Sequence, residues 1–255
     1  MTPRWKRRPS APPPDTAGLR LYAIGDIHGR FDLLTELLAR IERDASVRPP
    51  AETRLVMLGD YIDRGPASRE VCELLHALSL EGRAICLRGN HDQTMLDVLD
   101  GDREALRFWL DYGGDATLRS WGVAEETIER GVWSAADADR LIAALRDAVA
   151  PPILDWLRGL PAFHVQGSYL FVHAGIRPGV PLDRQEEADL LWIRQPFLGS
   201  EARHPWKVVH GHSVTDEVDY RTNRIGIDTG AYRTGILTAL GLERDSCWTL
   251  RTGTA

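Results

Sequence analysis

Gly25-Asp26-Ile27-His28-Gly29 ends a short apolar run, Leu21 to Ile24, and the residues on either side of it decide the fold. Phe31, Leu34, Leu37, Leu38 and Ile41 follow at three- and four-residue spacing, which is one face of an amphipathic helix. The same arrangement then recurs. Leu55 to Leu58 runs into Gly59-Asp60-Tyr61-Ile62-Asp63-Arg64-Gly65, and Val71, Leu74, Leu75 and Leu78 form the next helical stripe. Ala84 to Leu87 runs into Arg88-Gly89-Asn90-His91-Asp92. Strand, helix, strand, helix, strand, repeating at about thirty residues, predicts a βαβαβ unit and a parallel sheet. Ligands of such sheets gather beyond the carboxyl ends of the strands, and all three runs deliver polar residues to that edge.

Beyond this unit, residues 101 to about 160 read as mostly helical. Ala138, Leu141, Ile142, Leu145 and Val149 form a stripe that Pro151-Pro152 closes. Short strands follow at Tyr169 to Val172, Lys207 to Val209, Arg224 to Ile227, Ile236 to Leu240 and Cys247 to Leu250. Turns at Gly211, Gly230 and Gly235 suit an antiparallel or mixed second sheet. With no internal repeat and no linker, residues 19–255 read as one domain with a helical insert at about 101–160. Residues 1–18, rich in Pro, Arg and Ser, read as a flexible tail.

Composition excludes several classes. Of 255 residues, 43% are hydrophobic and 27% charged, as in ordinary globular proteins. The net charge of −6 argues against a general nucleic-acid binder, and the basic cluster at Arg4, Lys6, Arg7 and Arg8 reads as a solvated tail. No apolar stretch is long enough to span a membrane, and the N-terminus lacks the apolar core of a secretory signal. Cys72, Cys86 and Cys247 cannot all pair and match no zinc or redox spacing. They are expected to be reduced, buried thiols in a cytoplasmic protein.

Five segments carry the chemistry: the three tips above, His173-Ala174-Gly175 and Gly211-His212. Singly, each reads as a turn or a satisfied histidine. Together they place Asp, His and Asn at strand tips beside glycines that let the backbone turn sharply. Carboxylate, imidazole and amide oxygen without thiolate form a donor set for Mn²⁺, Fe or Zn²⁺ rather than for a structural zinc.

In these motifs the chain resembles the metallophosphoesterases of the calcineurin-like fold, and more narrowly the bacterial phosphoprotein phosphatases. The pattern GDxHG, GDxxDRG, GNHD, His-Ala and Gly-His is present in order, with Leu191-Trp192-Ile193-Arg194 and Asp228-Thr229-Gly230-Ala231 besides. The resemblance implies an α/β fold: a two-sheet β-sandwich flanked by helices, in αββα layers, with two divalent metal ions, Mn²⁺ foremost, between the sheets. It implies that Asp26 and His28 bind the first metal, that Asn90, His173 and His212 bind the second, and that Asp60 bridges both. His212 rather than His210 is the ligand, because the family histidine directly follows glycine. A metal-bridging hydroxide is then expected to attack phosphorus directly. His91 would protonate the leaving group and Asp63 would orient His91. Arg64 and Arg194 would bind phosphate oxygens together with Asn90 and His91.

The chain also departs from the family in places. Gly113 to Leu118 with Ser120 to Gly122 resembles a bacterial GGxxTLxSYG stretch, with Trp121 in place of Tyr and Tyr112 where Asn is common. It is expected to rim the cleft and to bear on substrate preference rather than chemistry. Asp92 stands for a Glu and is expected to touch no ligand, while Ser213 stands where Thr is common. His76, off its helix stripe, reads as solvated. The implied activity is hydrolysis of phosphoserine and phosphothreonine in proteins or peptides, with phosphotyrosine in reach. The alternatives are a symmetrical diadenosine tetraphosphate hydrolase or broad phosphoesterase, and a non-catalytic binding protein.

Overall fold

Alternate residues of the first strand, β1 (Arg20–Ile24), face two different cores in the computed structural model, which describes residues 15–253. Tyr22 and Ile24 pack toward helices, while Leu21 and Ala23 pack toward a second sheet. That is the two-residue period of a strand buried on both faces. The chain continues through α1 (Phe31–Val47), β2 (Thr53–Met57), α2 (Ser68–Leu80) and β3 (Ala84–Cys86). The stripes behave as their spacing predicts: Leu34, Leu37 and Ile41 of α1, and Val71, Leu75 and Leu78 of α2, are buried.

Six helices follow: α3 (Asn90–Asp100), α4 (Arg103–Asp111), α5 (Gly114–Ser120), α6 (Glu125–Glu129), α7 (Ala135–Ala148) and α8 (Pro151–Arg158). Asp102 caps α4, and Ser134 with Asp137 forms a capping box on α7. The remaining elements are β4 (Phe163–Gln166), β5 (Tyr169–Val172), α9 (Glu187–Trp192), β6 (Lys207–His210), β7 (Asp219–Tyr220), β8 (Arg224–Gly226), α10 (Ala231–Thr234), β9 (Thr238–Glu243) and β10 (Ser246–Arg251).

One sheet has the order β10-β9-β1-β2-β3 and the other β4-β5-β6-β8-β7. The strands β1, β2 and β3 are mutually parallel, as are β5, β6 and β8. Helices α1 to α8 cover the first sheet, apolar side chains from both sheets fill the space between them, and α9 packs outside the second. The chain therefore has an α/β fold of two mixed sheets with flanking helices.

Several sequence expectations need correction. The last two strands join the first sheet rather than the second, β9 antiparallel to β1 and β10 antiparallel to β9. The expected flexible tail lies outside the described residues up to position 14. Its last residues are pinned, since Asp15 accepts a backbone bond from Ser168 and Thr16 is buried. Cys72 and Cys86 are buried free thiols, but Cys247 is exposed. His76 is half-buried beside Trp156 rather than solvated, with 5.9 Å between ring centroids. Among the described residues, no helix is long and apolar enough to cross a membrane.

Candidate metal centre

Both parallel strand sets end at one cleft. From the first sheet, the loop after β1 brings Asp26 and His28, the loop after β2 brings Asp60, Asp63 and Arg64, and the start of α3 after β3 brings Asn90 and His91. From the second, His173 follows β5, His212 follows β6 and Asp228 comes just after β8. Close approach sets the glycines. A Cβ on Gly89 would overlap Asp60, and one on Gly211 would overlap Asp26. Among the described residues seven non-glycines have positive φ, and five of them stand here: His28 (+47°), Asp60 (+53°), Asp63 (+73°), Arg64 (+69°) and His212 (+60°).

Two groups are close enough to share a cation each: His28, Asp60 and His91, and Asp60, His173 and His212. Asp60 belongs to both. Its Oδ2 lies 3.6 Å from His28 Nε2 and its Oδ1 3.5 Å from His173 Nε2. The Nδ1 atoms of His28 and His173 each lie 2.8 Å from a carbonyl oxygen, of Ile62 and Leu58. Those bonds require Nδ1–H, so each neutral ring turns an Nε2 lone pair to the cleft. Asn90 Oδ1 lies 2.8 Å from both His173 Nε2 and His212 Nδ1. The first of these pairs two acceptors with no proton to share, and the buried Nε2 of His212 has no partner. Acidic Asp26 and Asp228, both buried, complete the cleft.

Charge state follows burial. Burial pushes His28 and His212 down to about 3 and lowers His173, so all three rings are neutral lone-pair donors near neutrality. Burial, with Asp228 and Asp60 nearby, raises Asp26 well above the carboxylate range, and burial raises Asp228 to about 6. For Asp60 burial opposes ionisation, but the imidazoles of His173, His91, His28 and His212 hold its carboxyl below the ordinary value. Crowded buried carboxylates beside neutral imidazoles are the environment a divalent cation neutralises.

His91 Nδ1 lies 2.6 Å from Asp63 Oδ2, and its Nε2 lies 3.1 Å from Arg64. Burial would lower His91, but Asp60 and Asp63 raise it above its ordinary value. Arg64 also reaches His28 Nε2 at 3.1 Å and lies over the Tyr232 ring at 4.3 Å. Arg194 is exposed and lines the same cavity, of about 440 Å³. His210 lies apart from the cluster, between Arg224, Gly211 and Phe197.

Sequence reading missed four contributors. Trp109 Nε1 donates to Asp63 Oδ2 at 2.8 Å and Thr117 donates to Asp63 Oδ1 at 2.6 Å. The Gly113–Leu118 stretch, expected to rim the cleft, thus also steadies the His91–Asp63 pair through Thr117. Asp92 accepts the backbone N–H groups of Asp60, Tyr61 and Gly89. It thus holds a site residue in place, where it was expected to touch none. Asp228, quoted as part of a motif, lies on the cavity wall and hydrogen-bonds Asp26.

Residues 19–233 match the model of the calcineurin-like phosphoesterase family. The chain belongs to that family. It is 33% identical over 161 residues to a symmetrical bis(5'-nucleosyl)-tetraphosphatase of Aromatoleum aromaticum, covering 63% of this chain and 46% of that one. The chain thus spans about half the length of the symmetrical tetraphosphatases it matches. An asymmetrical tetraphosphatase of Anoxybacillus flavithermus is 27% identical over 85% of this chain and 88% of its own. Serine/threonine-protein phosphatase 1 of Salmonella typhimurium is 31% identical over 88% and 92%. A crystal structure of a provisionally named diadenosine tetraphosphatase superposes with a TM-score of 0.64 at 21% identity, over 94% of this chain and 97% of that one, which shows the shared fold.

Proposed function

We propose that this chain hydrolyses phosphoanhydride bonds of dinucleoside polyphosphates, using two divalent cations held by Asp26, His28, Asp60, Asn90, His173 and His212. The hydrolytic part rests on the Asp60 carboxylate, whose two oxygens face two different histidine groups. One carboxylate divided between two donor clusters would serve a cation in each. The donors fit: oxygen and imidazole ligands without thiolate, lone pairs converging on Asn90 Oδ1, and an unpartnered His212 nitrogen. Manganese is our choice of metal, with iron and zinc suited to the same set. When bound, such a pair supplies Lewis-acid polarisation of the phosphoryl group and an activated water.

The chain's own residues do the rest. Arg64 and Arg194 bind non-bridging phosphate oxygens, where planar guanidinium forks match the geometry. His91, anchored at Nδ1 by Asp63 and facing Arg64 and the cleft with Nε2, is the group that delivers a proton to the departing oxygen once substrate takes the Arg64 guanidinium. Asp63 fixes His91 through Nδ1, and is itself fixed by Trp109 and Thr117.

The nucleotide substrate is argued from likeness to tetraphosphatases of both kinds, one of which matches nearly end to end. A second reading, a protein phosphatase for phosphoserine and phosphothreonine, is favoured by the match to the Salmonella phosphatase over most of both chains. The cytoplasm is the compartment we assign. One assay decides between the two: nucleotide release from diadenosine tetraphosphate beside phosphate release from phosphopeptides, manganese supplied. Faster nucleotide release is the expected result. Faster phosphopeptide turnover sinks the nucleotide reading, and no turnover of either substrate or of p-nitrophenyl phosphate sinks both.

A further inference from the structure

The outer wall of the metal-site cavity is aromatic, and the hydrolytic chemistry makes no use of it. Phe108 of α4 and Tyr112, which caps that helix, are one turn apart with ring centroids 4.4 Å from each other. Trp192, the last residue of α9, meets Phe108 at 5.8 Å and His212 at 6.3 Å, edge-on in both cases. All three line the same cavity as Asp60, Arg64 and Arg194. They are nonetheless 41%, 49% and 38% exposed, while α4 buries Leu106 and Trp109 on its inner face. Contiguous large aromatics left in solvent at the mouth of a polar site mark a surface for a ligand.

Trp192 thus meets candidate ligand His212 on one side and the Phe108–Tyr112 pair on the other. An aryl phosphate carries its ring on the ester oxygen, one atom from phosphorus. A nucleotide carries its base further out, on the far side of a sugar. We infer that Phe108, Tyr112 and Trp192 form a shelf on which one nucleobase of the substrate stacks while its phosphates lie against Arg64 and Arg194. Every base has a π-face, so a stacking shelf tolerates adenine and guanine alike. This inference rests on the nucleotide reading above.

The test is calorimetric binding of ADP and of inorganic pyrophosphate to the full chain, manganese present, for the wild type and for a Phe108→Ala, Tyr112→Ala double variant. The wild type should hold ADP about tenfold more tightly than pyrophosphate, the scale of one base stacked on aromatic rings. The double variant should lose that preference, and Tyr112→Phe, which keeps the ring, should retain it. Pyrophosphate binding reports that the phosphate end of the site is folded, and Trp192→Ala serves where the double variant does not fold. An ADP preference that survives loss of the rings overturns the shelf. So does a wild type that binds both ligands equally. Turnover of diadenosine tetraphosphate by the wild type is scored separately, so either idea can fail while the other stands.

Discussion

His28, Asp60, Asp63, Arg64 and His212 hold left-handed backbone that non-glycine residues adopt at a cost of order 1–3 kcal/mol each. Such strain persists where the surroundings over-determine it, and here hydrogen bonds do so: Asp92 binds the Asp60 N–H, Ser68 and Thr117 bind the Asp63 N–H, and Asp26 binds the His212 N–H. The identities of these residues were legible because each falls in a glycine-bearing motif at the end of an apolar run. Their supports were not, because Trp109 looks like any core residue of an amphipathic helix. The His91–Asp63 pair allows a test at this scale. Whatever phosphoserine-peptide turnover the chain has, His91→Ala should slow it by about 10²–10⁴, the usual worth of a general acid. The loss on p-nitrophenyl phosphate, whose leaving group hardly needs a proton, should be much smaller. Equal losses in kcat on the two substrates would remove His91 from that role.

At the scale of elements, β1, β2 and β3 were readable because each carries its turn and its following helix in sequence order. The sheet membership of β9 and β10 was not readable. A short apolar run names no pairing partner, and the contact that ties these strands to β1 comes from far along the chain. Asp44 of α1 shows how that tie is made. It accepts the Tyr22 hydroxyl of β1 at 2.6 Å, Trp248 Nε1 of β10 at 2.9 Å and Arg48 Nε at 2.8 Å. Burial works against its ionisation, but these donors hold its carboxyl below the ordinary value. A depressed carboxyl contributes stability above its unfolded pKa of about 4, and the contribution is lost as pH falls through the folded value. Asp44→Ala should therefore destabilise the fold by about 2 kcal/mol at pH 7. The gap in urea midpoint from the wild type should narrow steadily toward pH 3. A gap independent of pH would mean that Asp44 acts through packing alone.

Over the whole molecule, the six candidate ligands are divided between the sheets: Asp26, His28, Asp60 and Asn90 follow strands of the first, and His173 and His212 follow strands of the second. Cations at their centre would join the two halves of the sandwich at the edge where no strand pairing crosses. The unfolded chain lacks that convergence, so binding adds to stability by mass action, about 2.7 kcal/mol at a hundredfold excess over Kd. For a chain of this size that corresponds to a rise in Tm of roughly 5–10 °C. Manganese added to chelated protein should produce such a rise, followed calorimetrically. Asp60→Asn should abolish most of it, because the shared carboxylate serves both clusters. The rise should also shrink in acid, since Asp26 and Asp228, both raised above the ordinary carboxylate range, must give up protons before a cation is held. A Tm indifferent to manganese at neutral pH would mean that these ligands share a cleft without binding cations in it, and hydrolysis would need another source.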